Sequence, residues 1–178
     1  MLVFGSASIL VVASLGLATT LGSEFVPAII NTFQTRLWLA QGKLTDAINW
    51  VQSSNLNHDD ELDDLREFEY ITLARVLLAQ DEASSAAGLL NRLLAKAQMA
   101  RRTQSNIEIL ILQALAYQAM GDGVQALTAL QQALKIAEPE GYVRIFADEG
   151  APMATMLLKR VEIRQKDEPS PLPAPAYL

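Results

Sequence analysis

The residues able to do chemistry are few and scattered. Cysteine is absent, which removes disulfides, thiolate metal sites and a cysteine nucleophile at once. A single histidine, His58, leaves no His-rich metal site and one candidate partner for a serine nucleophile. His58 is followed by Asp59, Asp60, Glu61, Asp63 and Asp64. As a cation site this cluster fails twice: its spacing matches no calcium loop, and no glycine supplies the sharp turn. The acids have a simpler use at the start of a helix, where the macrodipole favours them, and Asp64 with Glu67 has capping-box spacing. Carboxylates are plentiful elsewhere, yet no paired acid and base, oxyanion donors or nucleophile motif emerge. No Gly-x-x-x-x-Gly-Lys-Ser/Thr stretch is present to cradle phosphates. The expectation is a chain with no catalytic residues, no cofactor and no metal.

Composition narrows the partners. The 178 residues are 51% hydrophobic, enough for one domain with a real core. Fourteen basic against 20 acidic residues give a net charge of −6. That balance argues against direct nucleic acid binding, which needs a basic face.

The elements that position any site are helices. The clearest lie between Thr103 and Pro139. Ile107 to Met120 is apolar nearly all round, as in a helix buried between neighbours. Gly121-Asp122-Gly123 breaks it. An amphipathic helix follows, with Ala126, Leu127, Leu130, Ala133 and Leu134 at helical spacing, and Pro139 stops it. Further helices are expected over Thr32 to Ala40, Asp46 to Gln52 (capped by Thr45), Leu65 to Leu78 and Pro152 to Ile163. Another, capped by Ser84 or Ser85, carries the stripe Ala86, Leu89, Leu90, Leu93, Leu94, Ala97 and ends in Lys96, Arg101 and Arg102 as dipole complement. Ser105 to Glu108 has the form of a capping box opening the central helix. Tyr142 to Phe146 is a short apolar run. Four prolines from Pro169 to Pro175 make a stiff linker over residues 165–178.

Met1 to Ser23 carries no charge. Three readings stay open for residues 1–33: a membrane anchor through residues 2–21, a helix capping an exposed end, or a start foreign to the rest. No Lys or Arg precedes the apolar block, which makes it a poor secretory signal.

Three turns align: Leu39-Ala-Gln-Gly42 leading to Ala47, Leu78-Ala-Gln-Asp81 to Ala86, and Ala119-Met-Gly121 to Ala126. A helix–turn–helix repeat needs a tight turn, then a small residue where the second helix crosses the first. The pattern is similar to tetratricopeptide repeats, with a period longer than the usual ~34 residues. It implies an all-α fold of antiparallel helical hairpins, stacked as a right-handed TPR-like superhelix over residues 34–164.

Arg36-Leu-Trp-Leu-Ala-Gln-Gly42, Leu77-Leu-Ala-Gln80, and the run from Gln132 through Gly141-Tyr-Val-Arg-Ile-Phe-Ala-Asp-Glu-Gly150 to Met153 carry a narrower resemblance. Together they resemble the C-terminal repeat region of large ATP-dependent LuxR-type transcription regulators, the MalT-like group. The Gly141 to Gly150 stretch is its most specific part, and Pro175-Ala-Tyr-Leu178 looks like the approach to a DNA-binding module. The resemblance covers Thr35 to Leu178; Met1 to Phe33 does not fit it. It implies an effector-sensing middle region, a fragment without the ATP-binding and helix-turn-helix modules. It further implies a cytoplasmic setting, the alternative being a membrane-tethered adaptor that binds a partner. A small effector, or a protein or peptide, would lie on the concave face formed by the first helix of each pair. Arg36 and Arg75 occupy corresponding places there by alignment, with Glu108 and Gln118 on the third pair, and these four are the candidate contacts. Self-association is a further expectation, since a short solenoid open at one end often needs a neighbour.

Overall fold

The computed structural model describes residues 27–167, with side chains described through residue 162. The anchor reading for residues 2–21 and the proline-rich stretch from 168 onward lie outside the described residues. Among those described, every regular element is helical, so the all-α expectation holds. In chain order, α1 spans residues 27–40 and α2 Leu44–Ser53. A 3-10 turn over Asp64–Arg66 leads into α3, Glu67–Ala79. Then come α4 (Ala83–Met99), α5 (Thr103–Ala119), α6 (Gly123–Ala137), α7 (Arg144–Ala147) and α8 (Gly150–Asp167). No described helix is long and apolar enough to cross a membrane. The chain divides into two compact units, Met1–Leu93 and Leu94–Leu178.

Five turns share one backbone device. Gly42, Asp81, Arg101, Gly121 and Gly141 take left-handed φ values of 73°, 62°, 55°, 80° and 70°. In each, the next residue donates its N–H to a carbonyl five residues back: Lys43 to Trp38, Glu82 to Leu77, Arg102 to Ala97, Asp122 to Tyr117 and Tyr142 to Ala137, at 2.9–3.1 Å. This is the Schellman bond, which satisfies a carbonyl that the helix end would otherwise orphan. In four of them the same residue's carbonyl accepts the first bond of the next helix, from Ala47, Ala86, Asn106 and Ala126. The alanine five positions after the turn thus has a physical role. Its N–H starts the new helix, and its side chain is fully buried at Ala47, Ala86 and Ala126.

This device overrides the side-chain caps expected from sequence. Only one residue separates the left-handed position from the next helix, so the turn sets the register. Helix α2 starts at Leu44 with Lys43 as its N-cap, and Thr45 lies inside it. Ser84 and Ser85 lie inside α4. Helix α5 starts at Thr103 behind Arg102, which puts Ser105 inside the helix and makes Arg102 an N-cap rather than the end of α4. Asp122, unlike Lys43 and Arg102, also caps with its side chain, accepting from the Gln125 N–H at 3.0 Å. Before α3, Asp63 caps the 3-10 turn, accepting from the Leu65 N–H at 2.9 Å. Helix α1 is already formed at Pro27, five residues before Thr32, so the boundary drawn at residue 34 falls within a helix. Proline is tolerated in a first turn. The buried hydroxyls of Thr32 and Thr35 donate to the carbonyls of Ala28 and Asn31, at 2.6 and 2.8 Å.

In the first unit, Leu73, Ala74, Val76 and Leu77 of α3 and Ala86, Leu89, Leu90 and Leu93 of α4 are buried, with Ala47 and Trp50 of α2. The polar loop between α2 and α3 is held down from α4. The Arg92 guanidinium donates to the carbonyl of Asp60 at 2.7 Å and to that of His58. Leu56 and Leu62 are buried beneath the loop. The Tyr70 hydroxyl reaches the Glu61 carbonyl at 3.4 Å, and burial, with Asp60 nearby, pushes its pKa up.

In the second unit, α5 is buried around its whole circumference from Asn106 to Ala114, as its all-round apolar sequence predicts. Ile107, Leu110, Ile111 and Ala114 meet Ala126, Leu130 and Ala133 of α6 in one core, closed by Phe146, Met153 and Met156. Alanines at 126, 129, 133 and 137 give α6 a small-residue face that lets the helices approach closely.

The turns and the Arg92 anchor each give expected outcomes. A Cβ at Gly121 would meet nothing within 4 Å, so Gly121→Val is penalised by its left-handed backbone alone. It should lower unfolding free energy in urea by ~1–2 kcal/mol, while Asp81→Gly, relieving the same strain, should raise it by up to ~1 kcal/mol. Arg92→Ala should cost ~1–3 kcal/mol and open residues 55–63 to limited proteolysis. Arg92→Lys should rescue it poorly, because one ammonium lacks the planar fork that serves two carbonyls.

Candidate functional site

The four sequence candidates fall two in each unit. Arg36 and Arg75 belong to the first. The Arg36 Nε donates to the Thr72 hydroxyl at 2.8 Å, and its guanidinium lies 3.9 Å above the Phe68 ring. Phe68 in turn meets Phe33, with ring centroids 5.0 Å apart and planes at 53°. Thr72 is fully buried and Arg36 half-buried, so Arg36 joins α1 to α3 through a hydrogen bond and a cation–π contact. Arg75 is half-buried one helical turn beyond Thr72. In the second unit Glu108 is buried within α5, whereas Gln118, ten residues on, is exposed near the end of the same helix.

His58 lies 3.4 Å from Asp59, and two of the acids after it serve the loop's own backbone: Asp60 accepts from the Asn57 N–H at 2.8 Å, and Asp63 caps the 3-10 turn. Among the described residues, no cluster of His, Asp and Glu is arranged to hold a metal ion.

One sizeable concavity was not among the sequence candidates. It lies within the second unit, where the Gly141 to Gly150 run passes between the end of α6 and the face of α8. The left-handed Gly141 reverses the chain, and the Val143 N–H bonds back to the Gly141 carbonyl at 2.9 Å. That turn sends Phe146 into the core and leaves Tyr142 half-buried. Arg144 and Asp148 pair at 3.6 Å on the exposed side, where an ion pair is worth little. Leu134 and Gln131 from α6, Tyr142, Val143 and Phe146 from the run, and Leu157 from α8 wall a cavity of about 630 Å³. Lys135, Glu138 and Arg160 also line it. Its volume falls within the range of small-molecule pockets, and its walls mix apolar with polar and charged groups. The first unit has a smaller, mainly apolar hollow of about 270 Å³ between α1 and α3, lined by Thr32, Phe33, Leu65 and Phe68.

The cavity's residues spread over positions 131–160 and three elements, so no spacing rule could assemble them. The one available signal was the specificity of the Gly141 to Gly150 stretch itself.

No curated protein and no solved structure matches the chain significantly. Residues 16–164 match the MalT-like TPR region, a match that begins well before residue 34 and takes in every helix from α1 through most of α8. A match over so much of the chain settles its kinship: it belongs to the family of MalT-like TPR regions.

Proposed function

We propose that this chain is a non-catalytic, effector-sensing region of a LuxR-type, MalT-like transcription regulator acting in the cytoplasm. Nucleotide binding and promoter binding then fall to other modules of such a regulator. The observation that carries this reading is the cavity of about 630 Å³ walled by Tyr142, Val143 and Phe146 in a member of the MalT-like TPR family. A helical repeat is suited to the task, because a ligand that bridges elements from different turns of the chain changes how firmly they are held together. Here the bridge would join α6, the Gly141 to Gly150 run and α8. Arg75 and Gln118 are retained as candidate contacts for a protein or peptide partner. Arg36 contributes chiefly by fixing α1 on α3.

The test is a thermal-shift screen of the full chain against small metabolites, paired with Leu157→Trp to fill the cavity. A ligand at a hundred times its Kd stabilises by ~2.7 kcal/mol, which for a chain of this size raises Tm by ~5–10 °C. The proposal expects such a shift in the parent and its loss in Leu157→Trp. A screen in which nothing raises Tm, or in which every effective compound stabilises both proteins equally, contradicts it.

A further inference from the structure

We propose that the ligand of the cavity in the second unit is an amphipathic monoanion: an apolar or aromatic body carrying one carboxylate or comparable acidic head. This rests on the reading of that cavity as the effector site and specifies its chemistry. Three observations converge on it.

The first is charge. The chain as a whole is acidic, with 20 carboxylate residues against 14 cationic ones, yet the cavity has two cations, Lys135 and Arg160, against one acid, Glu138. They come from facing elements, Lys135 from α6 and Arg160 from α8. Neither takes part in an ion pair among the described residues, although Glu138 lines the same cavity. Two cations left facing one space, in a protein rich in acids, form a local positive field that selects an anion.

The second is the apolar lining. Leu134, Phe146 and Leu157 form the walls, and Val143 at the rim is 75% exposed. A free inorganic anion would leave that surface bare. A ligand with an apolar body covers it, gaining roughly 25 cal/mol for each Å² removed from water.

The third is Arg160 itself. It is half-buried on α8, and its planar fork matches a carboxylate bidentately, so the head group belongs at the Arg160 end with Lys135 adding charge. Glu138 sets the limit on that charge. Its carboxylate repels a second negative group, which favours a monoanion over a phosphate monoester carrying close to two charges.

Two fluorescent probes of similar body test this on the full chain: 8-anilinonaphthalene-1-sulfonate, which is a monoanion, and N-phenyl-1-naphthylamine, which is neutral. Dodecanoate and dodecanol serve as competitors. The parent should bind the sulfonate at one saturable site, from which dodecanoate displaces it at lower concentration than dodecanol. Arg160→Ala should weaken the sulfonate by ~10- to 100-fold, the range for losing a charged hydrogen-bond partner, while changing the neutral probe less than about twofold. Lys135→Ala should act in the same direction more weakly, and provides an independent variant should Arg160→Ala fail to fold. Equal loss of both probes in the Ala variants would overturn the anion assignment and leave the cavity standing. Unchanged binding of both probes to Leu157→Trp would remove the cavity itself, and the effector reading with it.

Discussion

A single backbone hydrogen bond, repeated, sets the geometry on which the rest depends. An N–H just past each left-handed residue reaches the carbonyl five positions back, at Lys43, Glu82, Arg102, Asp122 and Tyr142. The bond closes one helix, and in four of the five turns the same residue opens the next. Two antiparallel helices joined by so short a turn must pack along their lengths. The residues at their closest approach must then be small, and Ala47, Ala86 and Ala126 are fully buried for that reason. The last of the five turns has a different sequel. After Gly141 the chain does not start a long helix at once but makes the short α7, and the deviation leaves room for a cavity.

Much of this was legible in the sequence because its causes are local. Glycine at 42 and 121, the buried alanines, and an all-apolar stretch from Ile107 each follow from one element's own requirements. The same logic explains the misreadings. Arginine carries no signal for left-handed backbone, so Arg101 read as the charged end of α4 although it occupies the position that Gly121 fills elsewhere. Serine and threonine near helix starts read as caps, but the Schellman turn had already fixed where those helices begin. Arg92 holds two carbonyls more than thirty residues away, a contact that only the folded chain creates.

Function was less legible still. Arg36 aligned with Arg75 as a candidate contact. The structure adds what alignment cannot, that Arg36 also bonds to Thr72 and lies over the Phe68 ring. The cavity escaped notice for a different reason. Its walls are unremarkable residues made significant by a reversal at Gly141 and by the proximity of α8. The two cations and one acid that line it sit against the negative charge of the chain. That contrast links the charge balance of the sequence to the chemistry proposed for the site.

The account stands or falls on the repeated turn, and amide hydrogen exchange reads it directly. The N–H groups of Glu82, Arg102 and Asp122 lie just outside the helices and would exchange freely in an ordinary loop. If each is bonded to a helix carbonyl, all three should be protected by at least about a thousandfold, close to the interior of the helices they terminate. Exchange at the rate of an unstructured peptide at these positions would contradict the turn, and with it the placement of every helix that the turn is held to set.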